Sequence, residues 1–195
     1  MASLFRRRLI ISVASIALAA LAVVAIKHYL SNRAIMLECK HWDPYSCLQL
    51  AEKNGSININ NEYTQKYFKY SEYHCYKNHE IYCTDAAHVY ENVNEYEKAL
   101  KLFLYACELG NGSSCFEAGM LMEKSPDPAI NNHKKALELF SKHKKGYSHQ
   151  QAYSVAELYA NSTDSQSIEI SKTMYSVACE HNYLDSCKKL MSYKN

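Results

Sequence analysis

Cysteine is the residue type in this sequence whose number and spacing point most directly to chemistry. The eight cysteines form four pairs, each with seven residues between its members: Cys39 and Cys47, Cys75 and Cys83, Cys107 and Cys115, Cys179 and Cys187. The first cysteines of successive pairs lie 36, 32 and 72 residues apart, so one pair is missing from a regular repeat. Because the spacing within the pairs is constant, we expect each cysteine to form a disulfide with the partner eight positions on.

Zinc binding is the alternative chemistry for paired cysteines. Two thiolates that bind one zinc ion are usually about two to four residues apart, and none of the four pairs has that spacing. Disulfides persist in oxidising compartments such as a periplasm, an endoplasmic reticulum lumen or the cell exterior. The sequence therefore predicts an exported, disulfide-bonded domain without metal ligands.

The cysteines are expected to lie on helices. Residues 95–109 place apolar side chains on one face at helical spacing, which predicts an amphipathic helix. Gly110 is expected to end this helix in the left-handed conformation. Ser113 or Ser114 is expected to cap a second helix over about residues 115–123. The predicted unit is a helical hairpin, and a disulfide across its turn would join the two helices.

The same hairpin recurs along the chain. Residues 170–190 repeat it 72 positions later. Residues 135–159 match it with an offset of 37, and here Lys144 and Ala152 take the two cysteine positions. Two earlier copies contain the pairs Cys39/Cys47 and Cys75/Cys83. In the second of these copies the helical pattern before Cys75 is shifted by about one residue relative to the other copies.

The composition agrees with an all-helical chain. Five glycines and three prolines in 195 residues supply few turns for a β fold. We predict an all-α protein, an α/α solenoid of about five helical-hairpin repeats over residues 30–195. A net charge of +2 gives no case for a nucleic-acid partner, since binding to phosphates needs clustered basic residues.

Residues 1–29 form a separate, apolar segment. Arg6, Arg7 and Arg8 precede residues 9–26, which carry no charge. At about 1.5 Å per residue these eighteen residues give roughly 27 Å of helix, close to the ~30 Å of a hydrocarbon core. This pattern predicts a signal anchor that crosses a membrane, and a cleaved signal peptide is the alternative.

The arginines place the remainder of the chain on the exported side. We expect a repeat domain in the periplasm that is anchored in the inner membrane, or is secreted if the segment is cleaved. The mitochondrial intermembrane space is a further alternative.

One stretch of the chain resembles a known family. The pattern Ala-x3-Phe/Tyr-x2-Ala-Cys-x-Leu-Gly-x4-Cys-x2-Ala-Gly-x-Leu occurs in full at residues 99–121. It resembles the Sel-one-like repeat, a relative of the tetratricopeptide repeat, in the cysteine-rich form known from the Helicobacter cysteine-rich proteins. The resemblance covers about residues 30–191. It implies a right-handed α/α superhelix with hairpin disulfides and a role in protein–protein contacts.

Some members of that family have been described as weak penicillin-binding β-lactamases, and the sequence contains parts of the motifs of such enzymes. Ser141/Lys144 and Ser186/Lys189 match S-x-x-K, in which the lysine helps to activate the serine. The S-D-N element is missing from the sequence, and Lys172-Thr173-Met174 lacks the glycine of K-T-G. We therefore predict no catalytic residue and no cofactor, and a secreted β-lactamase-like protein is the alternative function.

Two sets of side chains are candidate contacts for a partner. Tyrosine rings favour protein contacts where they are exposed, and basic side chains attract an acidic partner. We predict a membrane-anchored adaptor of the cell envelope that binds a protein or peptide on its concave face. Its candidate binding residues are Tyr63, Tyr73, Tyr105, Lys142, Lys144 and Lys145.

Overall fold

The structure is a computed structural model that describes residues 2–55 and 57–193, without the side chains of residues 2–17 and of Lys145. Over these residues the chain forms ten α-helices, one short 3-10 helix and no β-strand. The helices are α1 (Ala2–Lys40), α2 (Pro44–Lys53), α3 (Glu62–Cys75), α4 (Glu80–Asn92), α5 (Tyr96–Glu108), α6 (Gly112–Lys124), α7 (His133–His143), α8 (His149–Tyr159), α9 (Ser165–Glu180) and α10 (Leu184–Ser192), and the 3-10 helix Lys144–Gly146 follows α7.

The chain divides into two compact units, residues 1–70 and 71–195. In the second unit, helix α4 packs on α5, α6 on α7 and α8 on α9, so the second helix of each hairpin contacts the first helix of the next. This is the contact pattern of a helical repeat array, in which each unit is buried against its neighbours. The predicted all-helical class is confirmed, whereas the division into residues 1–29 and 30–195 stays a prediction.

A single apolar core runs through the last three hairpins of the second unit. It joins Phe140, Val155 and Tyr159 of the hairpin without cysteines to residues of the hairpins before and after it. Gly119 of α6 lies directly under the Phe140 ring, at a place where a Cβ atom would approach that ring to 2.5 Å. The hairpin that lacks a disulfide is therefore held by packing on both sides.

Four disulfides join the paired cysteines. They are Cys39–Cys47, Cys75–Cys83, Cys107–Cys115 and Cys179–Cys187, which are the pairs that the spacing predicts. The Cα–Cα distances of 4.7 to 4.9 Å are nearly the same in all four bonds. Each bond links the last turn of one helix to the first turns of the next, and the four hairpins therefore share one turn geometry.

Each second helix that carries a cysteine begins three residues before that cysteine. Helix α6 starts at Gly112 rather than near Cys115, because Asn111 caps it: the Ser114 backbone N–H donates to Asn111 Oδ1 at 2.9 Å. The expected cap by Ser113 or Ser114 is therefore wrong. Helix α2 starts at Pro44, three residues before Cys47, with Asp43 as its cap and the Ser46 N–H as donor at 2.7 Å. A capping side chain and a proline in the first turn both favour these earlier starts.

Candidate functional site

The second unit carries an exposed group of aromatic and basic side chains, which we call the aromatic–basic surface. It lies on the end of α3, on the turn that follows, and on α5. Tyr73 and Tyr76 are 51% and 46% exposed. The Tyr76 and Tyr105 rings meet edge to face, with centroids 5.2 Å apart. The aromatic–basic surface consists of five residues, which are Tyr73, Tyr76, Lys77, Lys101 and Tyr105.

The α3–α4 turn holds this surface in place. The Tyr105 hydroxyl donates to Asn78 Oδ1 at 3.1 Å, which ties α5 to the turn. Asn78 has a φ of 66° and ends α3, next to the disulfide Cys75–Cys83 that closes the same turn. The tyrosine rings are therefore presented on a hairpin that is cross-linked covalently.

Two ammonium groups lie over the rings of this surface. Lys101 Nζ is 6.0 Å from the centroid of Tyr76, and Lys77 Nζ is 5.8 Å from that of Tyr73. Cations at such distances are attracted to the ring faces, and the charges stay close to the apolar parts of the rings. The arrangement offers stacking, hydrogen bonding and positive charge together, which suits a peptide with aromatic and acidic side chains.

The three candidate tyrosines do not share one site. Tyr73 and Tyr105 both belong to the aromatic–basic surface. Tyr63 lies in the first unit, where it lines a cavity of about 310 Å³ with His28, Met36 and Lys53. Its ring is half-buried, and Lys66 Nζ lies 5.4 Å from its centroid. Of the three candidates only Tyr73 is exposed, whereas Tyr63 and Tyr105 are half-buried, so the sequence pattern predicted neither the exposure of each tyrosine nor which of them lie together.

The candidate lysines lie in the hairpin without cysteines. Lys142 is in the last turn of α7 and is exposed, whereas Lys144 opens the 3-10 helix and is half-buried. The side chain of Lys145 lies outside the described residues. Lys142 and Lys144 also flank His143, whose imidazole pKa is lowered by burial and by the charge of Lys142.

His143 is the third member of a compact group of potential metal ligands. A ring nitrogen of His143 and the sulfurs of Cys107 and Cys115 all lie within 4.8 Å of one another. Both cysteines are oxidised in the disulfide, so their sulfurs carry no charge to offer a metal ion. As the structure stands, this group is a histidine packed beside a buried disulfide.

One hydrogen-bonded chain resembles a serine–histidine–acid arrangement. His133 Nδ1 lies 2.8 Å from Glu123 Oε1, and its Nε2 lies 3.3 Å from Ser167 Oγ. Ser167 is completely buried, so its hydroxyl cannot reach a substrate. Its backbone N–H donates to Asp164 Oδ1 at 2.9 Å, as part of the cap of α9. This chain of hydrogen bonds therefore connects helices.

The two S-x-x-K matches also lack the arrangement of a reactive serine. Ser186 is completely buried, and Lys189 pairs with Glu157 at 3.3 Å. Ser141 is exposed on α7, with Lys144 beyond the end of that helix. A reactive serine needs an accessible hydroxyl as well as groups that stabilise an oxyanion, and the burial of Ser186 denies it the first of these.

The N-terminal helix presents apolar side chains to solvent. Residues 18–30 of α1 are all exposed, among them Leu18 at 67% and Leu21 at 66%. Within the part of the chain whose side chains are described, no helix has an apolar stretch of the length that a membrane crossing requires. Of the predicted span, residues 9–26, the side chains of residues 9–17 lie outside that part.

Comparisons with known proteins identify the fold. No protein-family model and no curated protein matches the sequence. The structure is similar to the crystal structure of a protective antigen present in uropathogenic Escherichia coli strains, which displays an SLR fold. The TM-score is 0.52 with 19% sequence identity, and the similarity covers 83% of this chain and 36% of that one. The described helices thus form the SLR fold, the architecture of Sel-one-like repeats, here with a disulfide in four of its hairpins.

Proposed function

We propose that this protein is an exported scaffold that binds a protein partner through its aromatic–basic surface. The observation that carries this proposal is the exposure of Tyr73 and Tyr76 on a hairpin that a disulfide and the Tyr105–Asn78 hydrogen bond hold in place. Repeat folds of this kind serve as extended binding surfaces. A non-enzymatic role also agrees with the burial of Ser167 and Ser186.

Rigid tyrosines are well suited to contribute binding free energy. A tyrosine ring buries a large area on binding and loses few side-chain rotations, so it is often among the residues that dominate an interface. The contacts of Tyr76 with Tyr105 and Lys101 already restrict its ring before a partner arrives. Folding has therefore already ordered these side chains, and binding of a partner loses little further side-chain entropy.

The partner is proposed to be acidic. Lys77 and Lys101 belong to the aromatic–basic surface itself, and Lys142, Lys144 and Lys145 add a second group of positive charges in the α7–α8 hairpin. Exposed charges attract a partner mainly over the Debye length of about 8 Å at physiological salt, so this attraction is sensitive to ionic strength. Carboxylates on the partner would meet ammonium groups at both places.

The location that we propose is the exported side of a membrane. Four disulfides are typical of proteins in oxidising compartments. The arginines at positions 6–8, the uncharged residues 9–26 and the exposed apolar side chains of residues 18–30 support an anchor in the inner membrane, with the repeats in the periplasm. Cleavage of this segment would instead yield a secreted protein.

Site-specific photo-crosslinking tests the proposed surface. A benzophenone-bearing amino acid replaces Tyr76 in the full-length chain, in cells of the source organism. Irradiation is expected to join the chain to one defined protein. The matched control carries the same group at Leu184, which is 72% exposed on α10.

The two positions separate specific contact from chance collision. We expect a discrete adduct at position 76, which disappears when Tyr105 is also replaced by alanine, and no such adduct at position 184. The same adduct at both positions, or none at position 76, would contradict the proposed surface. When the cross-linking is repeated with the purified chain and the purified partner, replacing Lys142 and Lys144 with glutamate is expected to reduce the adduct at low salt more than at high salt.

A further inference from the structure

The cavity beside Tyr63 is a part of the first unit that the proposed function does not use. It lies between α1, the end of α2 and the start of α3, and its volume is about 310 Å³. Met36 and Leu50 supply apolar wall, and the other lining residues are basic, polar or aromatic. None of the described residues that line this cavity is acidic. Its chemistry therefore favours an anion that is attached to an apolar group.

A chain of hydrogen bonds joins the polar residues of this cavity. Lys53 Nζ donates to Asn32 Oδ1 at 2.9 Å, and Asn32 Nδ2 lies 3.3 Å from His28 Nδ1. An amide nitrogen only donates, so His28 Nδ1 accepts this bond, and the neutral imidazole then carries its proton on Nε2. Lys53 and Asn32 keep further N–H groups, since an ammonium has three and an amide two. The chain thus offers donors, which the oxygens of a phosphate or carboxylate accept.

Lys53 supplies the positive charge at this place. Its side chain is exposed, and its hydrogen-bond partner is a neutral amide, so this contact does not neutralise the ammonium group. Glu62, the acidic residue next to Tyr63 in the sequence, pairs with Lys66 at 2.6 Å. Residues 1–37 contain no acidic side chain that would repel an anion. The charges around the cavity therefore favour an anionic ligand.

The position of the cavity along α1 indicates where such an anion comes from. Helix α1 runs without a break from the predicted span, residues 9–26, to Lys40. At about 1.5 Å per residue, His28 lies roughly 3 Å and Asn32 roughly 9 Å beyond Ile26 along the helix axis. The headgroup layer on each side of a bilayer is about 5 to 8 Å thick. If α1 crosses a membrane, the side of the cavity that His28 lines lies at the depth of the lipid headgroups.

We propose that this cavity binds the phosphate group of an anionic phospholipid in the membrane from which α1 emerges. The proposal rests on the membrane anchor of the proposed function. Lys53 and the Asn32 amide donate to the phosphate oxygens, and the apolar part of the lipid lies against Met36 and Leu50. Basic side chains at a membrane surface attract anionic lipids, and here a cavity with oriented donors gives that attraction a defined place.

Native mass spectrometry of the full-length chain in detergent micelles tests the site. Phosphatidylglycerol or phosphatidylcholine is titrated into the chain, and the Kd of the first bound lipid is obtained from the fractions of bound and free chain. We expect phosphatidylglycerol to bind about fivefold more tightly or better, which is the effect of one basic side chain near an anionic headgroup. Lys53→Gln is expected to remove this preference, whereas Lys53→Arg, which retains the charge, should keep it.

Arg33→Gln is the matched control. It removes one positive charge from an exposed position of α1 that does not line the cavity. This variant should keep the preference for phosphatidylglycerol, and all three variants should keep the helical circular dichroism of the parent. Equal losses in Lys53→Gln and Arg33→Gln would show that the lipid responds to surface charge in general, and an unchanged preference in Lys53→Gln would show that the cavity is not the site. Either result would overturn the proposal.

Two further measurements identify the source of the phosphate and separate the site from the anchor. Millimolar inorganic phosphate is expected to leave the Kd of phosphatidylglycerol unchanged, and displacement of the lipid would show that a free phosphate compound is the ligand. Extraction of membranes with alkaline carbonate tests the anchor independently. A chain that stays in the membrane pellet but shows no preference for phosphatidylglycerol would refute the site alone. A chain that carbonate releases would refute the anchor and, with it, the membrane as the source of the ligand.

Discussion

The same backbone conformation occurs three residues after the first cysteine of every pair. Trp42, Asn78, Gly110 and Asn182 have φ values of 73°, 66°, 100° and 64°. In each turn the next residue donates its N–H to the carbonyl five positions back, as Asn111 does to Ala106 at 3.0 Å. This is the pattern of a Schellman turn, which ends a helix through one left-handed residue. The disulfide therefore closes a turn that the backbone already favours.

Gly110 can be replaced by asparagine but not by a β-branched residue. Asn78 and Asn182 occupy the same position in other hairpins, so Gly110→Asn is expected to change the free energy of unfolding only slightly. Gly110→Val is expected to lower it by about 1 to 2 kcal/mol, because a side chain that branches at Cβ is strained in this conformation, whereas asparagine adopts it more readily. Chemical denaturation of the two variants measures the difference, and equal stabilities would contradict this reading of the turn.

His88 is expected to make stability depend on pH. Its pKa is raised, first by its interaction with the Glu91 carboxylate, while burial opposes the shift and Glu117 and Asp85 add negative charge. A histidine whose pKa is higher in the folded state stabilises the protein below its ordinary pKa, and this contribution is lost as pH rises through the folded value.

Denaturation at about pH 5.5 and about pH 8.5 measures this contribution. The parent chain is expected to lose more of its unfolding free energy between these two conditions than His88→Gln does. Glu91→Gln serves as the control, because it removes the main partner of the histidine and should reduce the same loss. An identical pH dependence in the parent and in His88→Gln would show that the interaction does not matter for stability.

At the scale of the elements, each disulfide closes a ring of nine residues. In the chain-entropy model such a ring contributes roughly 2 to 3 kcal/mol. Replacing Cys179 and Cys187 together by serine is expected to lower the free energy of unfolding by about that amount and to leave the other three disulfides intact. Denaturation with intact disulfides elsewhere measures the loss, and non-reducing peptide maps verify the pairing. A bond between different hairpins in the parent chain would contradict the structure.

The sequence pattern predicts the helices more accurately than it predicts where they begin and end. Apolar residues at helical spacing and the repeated cysteine interval indicated the hairpin α5–α6 correctly. The start of α6 was missed by three residues, because asparagine both makes turns and caps helices, and the sequence alone favoured the serines after it. The contact between Gly112 and Gly146 could not be predicted, since it depends on how one repeat packs against the next.

At the scale of the whole molecule, the N-terminal segment decides where the repeats reside. If residues 9–26 anchor the chain, the protein is expected to stay in the membrane pellet after washing with alkaline carbonate, and a chain that begins at residue 27 should appear in the soluble fraction. Protease added on the exported side is expected to digest the full-length chain beyond residue 38. Release of a soluble chain that starts near residue 26 would show cleavage instead.

The sequence pattern predicted the repeat architecture, but it could not assemble the aromatic–basic surface. Tyr76 follows the end of α3, outside the helical periodicity, and its contact with Tyr105 arises only when α5 packs beside the α3–α4 turn. Tyr63 and Tyr73 look alike in the sequence, since both lie on α3, yet they belong to different units. Tyr63 is half-buried and Tyr73 is exposed, so both the exposure and the grouping of these rings depend on tertiary packing.

The most direct test of the proposed function is the affinity of the partner that is cross-linked at position 76. Replacing Tyr76 and Tyr105 by alanine is expected to weaken binding by about 2 kcal/mol or more, roughly thirtyfold in Kd. The control is Tyr45→Ala, which removes a tyrosine of similar exposure, 42%, from the first unit. It should bind as the parent does. Unchanged affinity in the double variant, or an equal loss in Tyr45→Ala, would contradict the claim that the aromatic–basic surface is the binding site.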